Sequence, residues 1–286
     1  MRCKVIYLTI FSLLVLYAQA QALEICGDIK QGELLLIKSD NAKKITVLKN
    51  LDDKNYGVNE NGEALVALHR DVAKKLQFKT DDGTSYELNV AHTKLDIQRI
   101  TGVPQKHVTP SKQDENEIIR EQQDVGRALK HNNTAQYWRE GFILPVNGKI
   151  SGNFGNQRVF NGVPKSPHSG TDIAAPEGTP VKASGSGRVV LSGKNYFYTG
   201  NMVIIDHGQG LQTIYAHLKD AIVNEGDEVR QGQIIGHVGK TGRATGPHLH
   251  WGASVNNVRF RPHSLLDVNN KKCQKVVGKY IGEENE

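Results

Sequence analysis

The chain has 286 residues, with 36 Lys and Arg against 30 Asp and Glu, which gives a formal net charge of +6. This length allows one to three domains and ample material for a hydrophobic core. The positive charge is not concentrated into a stripe, so it argues against a nucleic-acid partner. It fits either attraction to an anionic polymer such as cell wall or a solvated basic surface.

The N-terminus has the pattern of a secretory signal peptide over residues 1–20. A short basic segment is followed by an apolar run from Val5 to Tyr17, which is too short to span a bilayer comfortably. Ala18-Gln-Ala20 and Ala20-Gln-Ala22 both fit the small-residue cleavage site. We therefore expect a secreted, periplasmic protein without a stable membrane anchor.

Residues 21–105 predict a small mixed α+β domain. Strands are indicated at Glu33–Lys38, Lys44–Leu48 and Ser85–Val90, because β-branched and apolar residues are bounded there by turn signals. Glu63–Leu76 carries apolar residues at helical spacing, which favours an amphipathic helix. Residues 106–141 form a polar connector, in which Glu115–Lys130 predicts a second helix that either packs across the two units or is solvated.

From residue 142 to residue 269 the pattern changes to short strands and turns. Nineteen of the 29 glycines lie between Phe142 and Asp267, which predicts a domain rich in turns. Strands are indicated at Val181–Leu191, Met202–Asp206 and Leu211–His217. Residues 270–286 form a polar tail, which we expect to be loose unless it is covalently tied.

Two cysteines remain once the signal peptide is removed, and they lie near the two ends of the mature chain. In an oxidising compartment an even pair predicts a disulfide, so we expect Cys26 and Cys273 to be bridged. The alternative is a pair of free thiols. Neither cysteine has the spacing of a zinc site.

Five residues of the C-terminal domain have the chemistry of a catalytic metal site. They occur in three motifs: His168-Ser-Gly-Thr-Asp172, Tyr215-Ala-His217-Leu and Pro247-His248-Leu-His250-Trp. Imidazole and carboxylate are the ligands of catalytic zinc, which takes three from protein and leaves one position open. His248 and His250 have strand spacing, so both face one side of a strand. From the residues alone, either of the two is a candidate third ligand.

These motifs and their Gly-rich surroundings resemble the LytM or lysostaphin-type zinc endopeptidases, the M23 peptidase family. The resemblance runs from about Phe154 to Gly252 and includes Asp206-His-Gly-Gln-Gly and Lys240-Thr-Gly-Arg-Ala-Thr-Gly-Pro-His-Leu-His-Trp. It implies an antiparallel β-sheet peptidase domain, and hence a mostly β protein. It also implies one Zn²⁺ held by His168, Asp172 and His250, with His217 and His248 as the catalytic residues that act on water and oxyanion.

The resemblance implies a secreted endopeptidase that cuts peptidoglycan cross-links, with D-Ala–meso-diaminopimelate as the expected bond. The alternative is a non-catalytic LytM-type module that binds cell wall or activates a separate amidase. Arg158 is expected either to contact a substrate carboxylate or to pair with a core acid. Relatives with an N-terminal extension can fold it over the groove. We therefore expect residues 21–105 either to restrict access to the metal, with the connector as hinge, or to bind wall or a partner.

Overall fold

The structure is a computed structural model that describes residues 22–50 and 52–280. The expected signal peptide at 1–20 lies outside the described residues. The first third of the chain contains the following strands: β1 Ala22–Cys26, β2 Leu34–Lys38, β3 Lys44–Asn50, β4 Asp52–Gly57, β5 Glu63–Ala67, β6 Lys75–Thr80, β7 Thr84–Asn89 and β8 Ile97–Ile100.

Two helices follow these strands. They are the single turn α1 Gln105–Val108 and the long helix α2 Lys112–Leu129. The remaining strands are β9 Lys149–Gly152, β10 Gln157–Phe160, β11 Val163–Pro164, β12 Gly170–Ala174, β13 Pro180–Lys182, β14 Gly187–Tyr196, β15 Gly200–Asp206, β16 Leu211–Ala221, β17 Glu228–Val229, β18 Ile234–Val238, β19 His248–Val255, β20 Val258–Phe260, β21 Cys273–Val277 and β22 Lys279–Tyr280.

The protein is mostly β, as predicted, but the helix expected over Glu63–Leu76 is wrong. The segment forms β5, a turn and the start of β6. Ala64 to Ala67 are all buried, so β5 is apolar on both faces and shows no alternation. A short continuous apolar run cannot be distinguished from a buried helix by periodicity alone, which explains the error.

The C-terminal part is built on a ten-stranded sheet with the main order β17-β14-β15-β16-β19-β12-β9. Every pair in it is antiparallel. The single strand expected at Val181–Leu191 is divided into β13 and β14. The division falls just before Gly187, where a Cβ atom would lie 2.4 Å from the carbonyl oxygen of Asp206. A glycine is therefore required where the start of β14 approaches the end of β15, to which Asp206 belongs.

The predicted connector helix is present as α2. Its C-terminal end packs on the large sheet, while more than half of its residues are exposed, so it combines packing on one unit with a solvated face. Ser111 and Asp114 form a reciprocal capping box that starts α2. At the other end, Ala128 and Leu129 are buried against Leu191, Met202, Ile204, Ile214 and Ala216 on one face of the large sheet. Within the described parts of the chain, no helix is long and apolar enough to cross a membrane.

The polar tail returns to the N-terminal strands as far as the structure describes it. β21 pairs with β1 at the edge of a four-stranded sheet, and β22 pairs with β7 in a five-stranded sheet. Cys26 lies directly opposite Cys273 in this pairing, and the two are joined by a disulfide with an S–S distance of 2.06 Å. The tail is therefore tied to the N-terminal unit by both hydrogen bonds and a covalent link.

We expect the disulfide to contribute substantially to stability, because it closes a loop of 247 residues. Replacing both cysteines, as in Cys26→Ser with Cys273→Ser, should lower the free energy of unfolding by about 2–4 kcal/mol. Urea denaturation measures this, and the reduced wild-type protein is the matched control. Two free thiols titrated in denatured, unreduced protein lacking residues 1–20 would contradict the assignment.

Candidate metal centre

The registry between β12 and β19 brings two of the predicted site residues face to face. Asp172 lies opposite His250, and Ala174 lies opposite His248. Residues that are opposite each other in antiparallel strands point to the same side of the sheet. The predicted period-two placement of His248 and His250 is confirmed, since both lie in β19. One face of two strands thus carries a carboxylate and two imidazoles.

His168 completes a compact group from the turn that leads into β12. Its Nε2 atom lies 3.0 Å from Asp172 Oδ1 and 3.0 Å from His250 Nδ1. His250 Nδ1 is in turn 2.9 Å from Asp172 Oδ1. All three side chains are buried. A tetrahedral zinc with bonds of about 2.0–2.2 Å separates its ligand atoms by about 3.3–3.6 Å. The donor atoms, which are 2.9–3.0 Å apart, need to separate by only a few tenths of an ångström, so the group fits a metal in both chemistry and spacing.

Two glycines make room for the group. A Cβ atom on Gly152 would lie 2.7 Å from Asp172 Oδ2, and one on Gly170 would lie 2.7 Å from His250 Nε2. Any larger residue at either position would displace a ligand side chain. These glycines therefore shape the cradle in which the three donor atoms meet.

Hydrogen bonds to residues around the group orient two of the candidate metal ligands. His168 Nδ1 lies 3.0 Å from the carbonyl oxygen of Asn153, to which it donates, so the lone pair is on Nε2. Asp172 turns Oδ1 towards the histidines, while Oδ2 accepts a hydrogen bond from the guanidinium of Arg158. Of the two roles expected for Arg158, the structure therefore has the pairing with a buried acid. Nothing in the sequence spacing identified Asn153 as a partner.

The protonation states suit a metal ligand set. Burial lowers the pKa of His168, and it lowers the pKa of His250 to about 4. Burial alone would raise the pKa of Asp172, but hydrogen bonds with His168 and His250 hold it well below its usual value. Two neutral imidazoles and a carboxylate are the forms that bind divalent metal near neutral pH.

His217 reaches this face only through an irregularity in β16. Ala216 lies opposite His250, so regular alternation would point His217 to the other side of the sheet. Instead, the pairing of β15 with β16 shifts between Val203 and Asn201, and His217 adopts a left-handed φ of 62°. This β-bulge turns the imidazole towards the site. Its ring centroid is 4.7 Å from that of His248 and 6.0 Å from that of His250.

His217 and His248 are oriented in the same way. His217 Nδ1 lies 2.9 Å from the carbonyl oxygen of Thr241, and His248 Nδ1 lies 2.8 Å from that of Gly246. If each Nδ1 carries the proton, each Nε2 is left with a lone pair. Burial lowers the pKa of His217 well below its usual value. The five predicted residues are thus brought together, while the division into ligands and catalytic groups stays a prediction.

A cavity of about 240 Å³ opens beside the group. Asp172 and His248 form one side of it, together with Arg158. The rest of its wall includes residues from β8 and the segment after it, from β10, and from the loop before β19: Gln98, Ile100, Val103, Phe160, Arg243 and Thr245. A peptide entering this cavity would lie next to the candidate metal ligands.

The domain that carries this group is similar to known proteins. Residues 166–262 match the model of peptidase family M23. The chain is 45% identical over 128 residues to peptidoglycan DD-endopeptidase ShyA of Vibrio cholerae, covering 44% of this chain and 29% of that protein. It is 49% identical over 98 residues to DD-carboxypeptidase/endopeptidase Mpg of Neisseria meningitidis, covering 34% of this chain and 22% of that protein. The chain thus spans less than a third of either relative.

A solved structure extends the likeness beyond the matched domain. A crystal structure described as a putative peptidase M23 from Pseudomonas aeruginosa superposes with a TM-score of 0.65 at 28% identity. The superposition covers 85% of this chain and 97% of that chain. The similarity in fold therefore includes much of the N-terminal part as well.

Because the backbone of His217 is left-handed, we expect a glycine variant at this position to be more stable than an alanine variant, which is the reverse of the usual order. Glycine adopts this conformation freely, whereas a residue with a Cβ loses about 1–2 kcal/mol there. We therefore expect His217→Gly to be more stable than His217→Ala by about 1 kcal/mol in urea denaturation.

Ala216 provides the matched control, because its φ is not in the left-handed region. Ala216→Gly should lower the free energy of unfolding. If glycine is the less stable choice at both positions, the bulge does not hold His217 in the conformation described.

Proposed function

The chain contains a domain of peptidase family M23, and on that premise we propose that it is a zinc-dependent endopeptidase that hydrolyses the peptide cross-links of peptidoglycan. The observation that carries the proposal is the group formed by His168, Asp172 and His250, beside which His217 and His248 lie. Among the described residues this group has three members, which is the ligand number of a catalytic rather than a closed structural zinc site.

His168, Asp172 and His250 would hold the zinc ion. When bound, zinc supplies a Lewis acid for the scissile carbonyl and lowers the pKa of water towards neutrality. Arg158 keeps the carboxylate of Asp172 oriented, because it occupies the oxygen that faces away from the histidines. The β12–β19 pairing then fixes the distance between Asp172 and His250.

His217 and His248 would move the protons. Each presents Nε2 while its Nδ1 contacts a backbone carbonyl, so either can accept a proton from the attacking water. One or both, once protonated, would stabilise the oxyanion and donate to the leaving amine. The chain needs no covalent intermediate for this reaction.

The substrate is proposed from the relatives. ShyA carries the name peptidoglycan DD-endopeptidase, and Mpg carries the name DD-carboxypeptidase/endopeptidase. We take D-Ala–meso-diaminopimelate cross-links as the bond and the periplasm as the compartment. The disulfide between Cys26 and Cys273 supports an oxidising compartment. The alternative, a non-catalytic wall-binding or amidase-activating module, is less well supported because all five site positions hold functional side chains.

Digestion of purified cross-linked peptidoglycan tests the proposal. The zinc-loaded protein should convert cross-linked dimers to monomers, as identified by mass, and a chelator should stop the reaction until zinc is restored. His168→Ala should lose both zinc and activity, because it removes a ligand. His217→Ala and His248→Ala should keep zinc and lose about 10²–10⁴-fold in rate.

Each outcome has a definite meaning. Stoichiometric zinc in His168→Ala would refute the ligand set, and loss of zinc in His217→Ala or His248→Ala would add that residue to it. If the zinc-loaded wild-type protein cleaves nothing, the non-catalytic module becomes the better description.

We further propose that the N-terminal unit restricts access to the site. β8 pairs in parallel with β10, and this places Gln98, Ile100 and Val103 in the wall of the cavity beside Asp172 and His248. Gln98 also donates to the carbonyl oxygen of Ser151 at 3.3 Å. A bulky cross-linked substrate must therefore pass residues that do not belong to the matched domain.

Removing side-chain volume from this wall should raise the rate of peptidoglycan cleavage. Ile100→Ala combined with Val103→Ala removes apolar bulk from the cavity, so cleavage of intact peptidoglycan should become severalfold faster. Ile97→Ala is the matched control, since Ile97 lies in the same strand but is 52% exposed. Equal or lower rates in folded, zinc-loaded protein would leave the N-terminal unit with a binding role instead.

A further inference from the structure

The guanidinium of Arg243 packs against two aromatic rings at the edge of the cavity. Its Cζ atom lies 4.5 Å from the centroid of the Phe160 ring and 4.3 Å from that of Tyr198. Two such contacts hold the planar group at the edge of the cavity and leave its N–H donors, which lie in the plane of the group, available to a ligand. Stacking fixes the group in place before any ligand arrives, so little side-chain entropy remains to be lost.

Arg243 has no acidic partner in the part of the chain that the structure describes. Arg158, which also lies over the Phe160 ring, is neutralised by Asp172. Burial lowers the pKa of Arg243 to about 10, so the group keeps its charge near neutral pH. No Glu lines this cavity, and its one Asp is already paired. The cavity therefore carries an uncompensated positive charge.

We propose that Arg243 binds a carboxylate of the peptide stem and so determines which cross-links are cleaved. This inference rests on the proposed peptidoglycan endopeptidase function. A guanidinium stacked on aromatic rings offers paired in-plane donors, which match a carboxylate bidentately. The carboxylate would enter beside Asp172 and His248, which line the same cavity.

The backbone ties Arg243 to the reacting groups. The loop that carries it, residues 239–247, joins β18 to β19. Its Thr241 carbonyl oxygen holds His217 Nδ1 at 2.9 Å, and the backbone N–H of Arg243 donates to the carbonyl oxygen of Tyr198 at 2.9 Å. A carboxylate held by Arg243 is thus held at a fixed place relative to His217 and His248, which positions the scissile bond.

Two carboxylates of a cross-linked stem have the required chemistry. One is the side-chain carboxylate of a diamino acid next to the cleaved bond, and the other is the free C-terminal carboxylate of the stem. Three synthetic cross-linked peptides separate them: the free acid, the form amidated at the side-chain carboxylate, and the form amidated at the C-terminus.

The zinc-loaded full chain should cleave the free acid with a kcat/KM about 10- to 100-fold above one of the amides, the usual effect of a hydrogen bond to a charged group. The amide that is cleaved more slowly identifies the bound carboxylate. Arg243→Gln should lose this preference mainly through a higher KM. Its kcat/KM for all three peptides should equal the wild-type kcat/KM for the amide that the wild-type protein cleaves more slowly. Arg243→Lys should retain part of the preference, because it keeps the charge but not the planar donors.

Arg230→Gln is the matched control, because Arg230 is exposed in the same domain and its replacement changes the net charge equally. This variant should keep the wild-type preference. Zinc content and melting temperature, measured alongside, verify that each variant is folded. If Arg243→Gln does not fold, Arg243→Lys takes its place, and an unchanged wild-type preference in that variant would refute the role of Arg243.

Two results would overturn the inference: equal cleavage of the three peptides by the wild-type protein, or an equal loss on all three in Arg243→Gln. Failure of the zinc-loaded wild-type protein to cleave any peptide would instead refute the proposed function.

Discussion

The pairing of β12 with β19 is the constraint on which the site depends. With Asp172 opposite His250, carboxylate and imidazole meet on one face of two hydrogen-bonded strands. If the register shifted by one residue, Asp172 and His250 would no longer lie opposite each other, and one of the two side chains would point to the other face of the sheet. The alternative register is blocked by burial, because Leu249 and Trp251 are fully buried on the opposite side. The hydrophobic core thus sets the position of the donor atoms.

Each oxygen of the buried Asp172 carboxylate has its own partners. One carboxylate oxygen faces two neutral imidazoles, and the other is paired with the guanidinium of Arg158. An unpaired buried carboxylate would be costly, so this pairing stabilises the charge that a divalent cation requires. Arg243 lies near the same aromatic ring but lacks such a partner within the described residues. The two arginines therefore differ, since the charge of Arg158 is neutralised by Asp172 and that of Arg243 is not.

Much of the site could be predicted because its motifs are local. His248-Leu-His250 has strand spacing, and His168 and Asp172 lie on a turn that leads into a strand, so each motif carries its own geometry. His217 could be assigned only by resemblance, since its side chain reaches the site through a left-handed residue at a bulge that alternation contradicts. Contacts between distant segments, such as Arg158 with Asp172, have no signature in spacing. The helix predicted over Glu63–Leu76 is wrong for a separate reason, since burial of both faces of β5 removes the period-two pattern of a strand.

The return of the tail to β1 and β7 has a consequence for the order in which the molecule can be assembled. The four-stranded sheet β21-β1-β2-β5 and the five-stranded sheet β22-β7-β6-β3-β4 each take one strand from the far end of the chain. Neither sheet can be completed until residues 273–280 have been synthesised. Pairings of such high sequence separation form late, because loop-closure entropy must be overcome first. The N-terminal unit thus gains its last edge strands only after all ten strands of the large sheet have been synthesised.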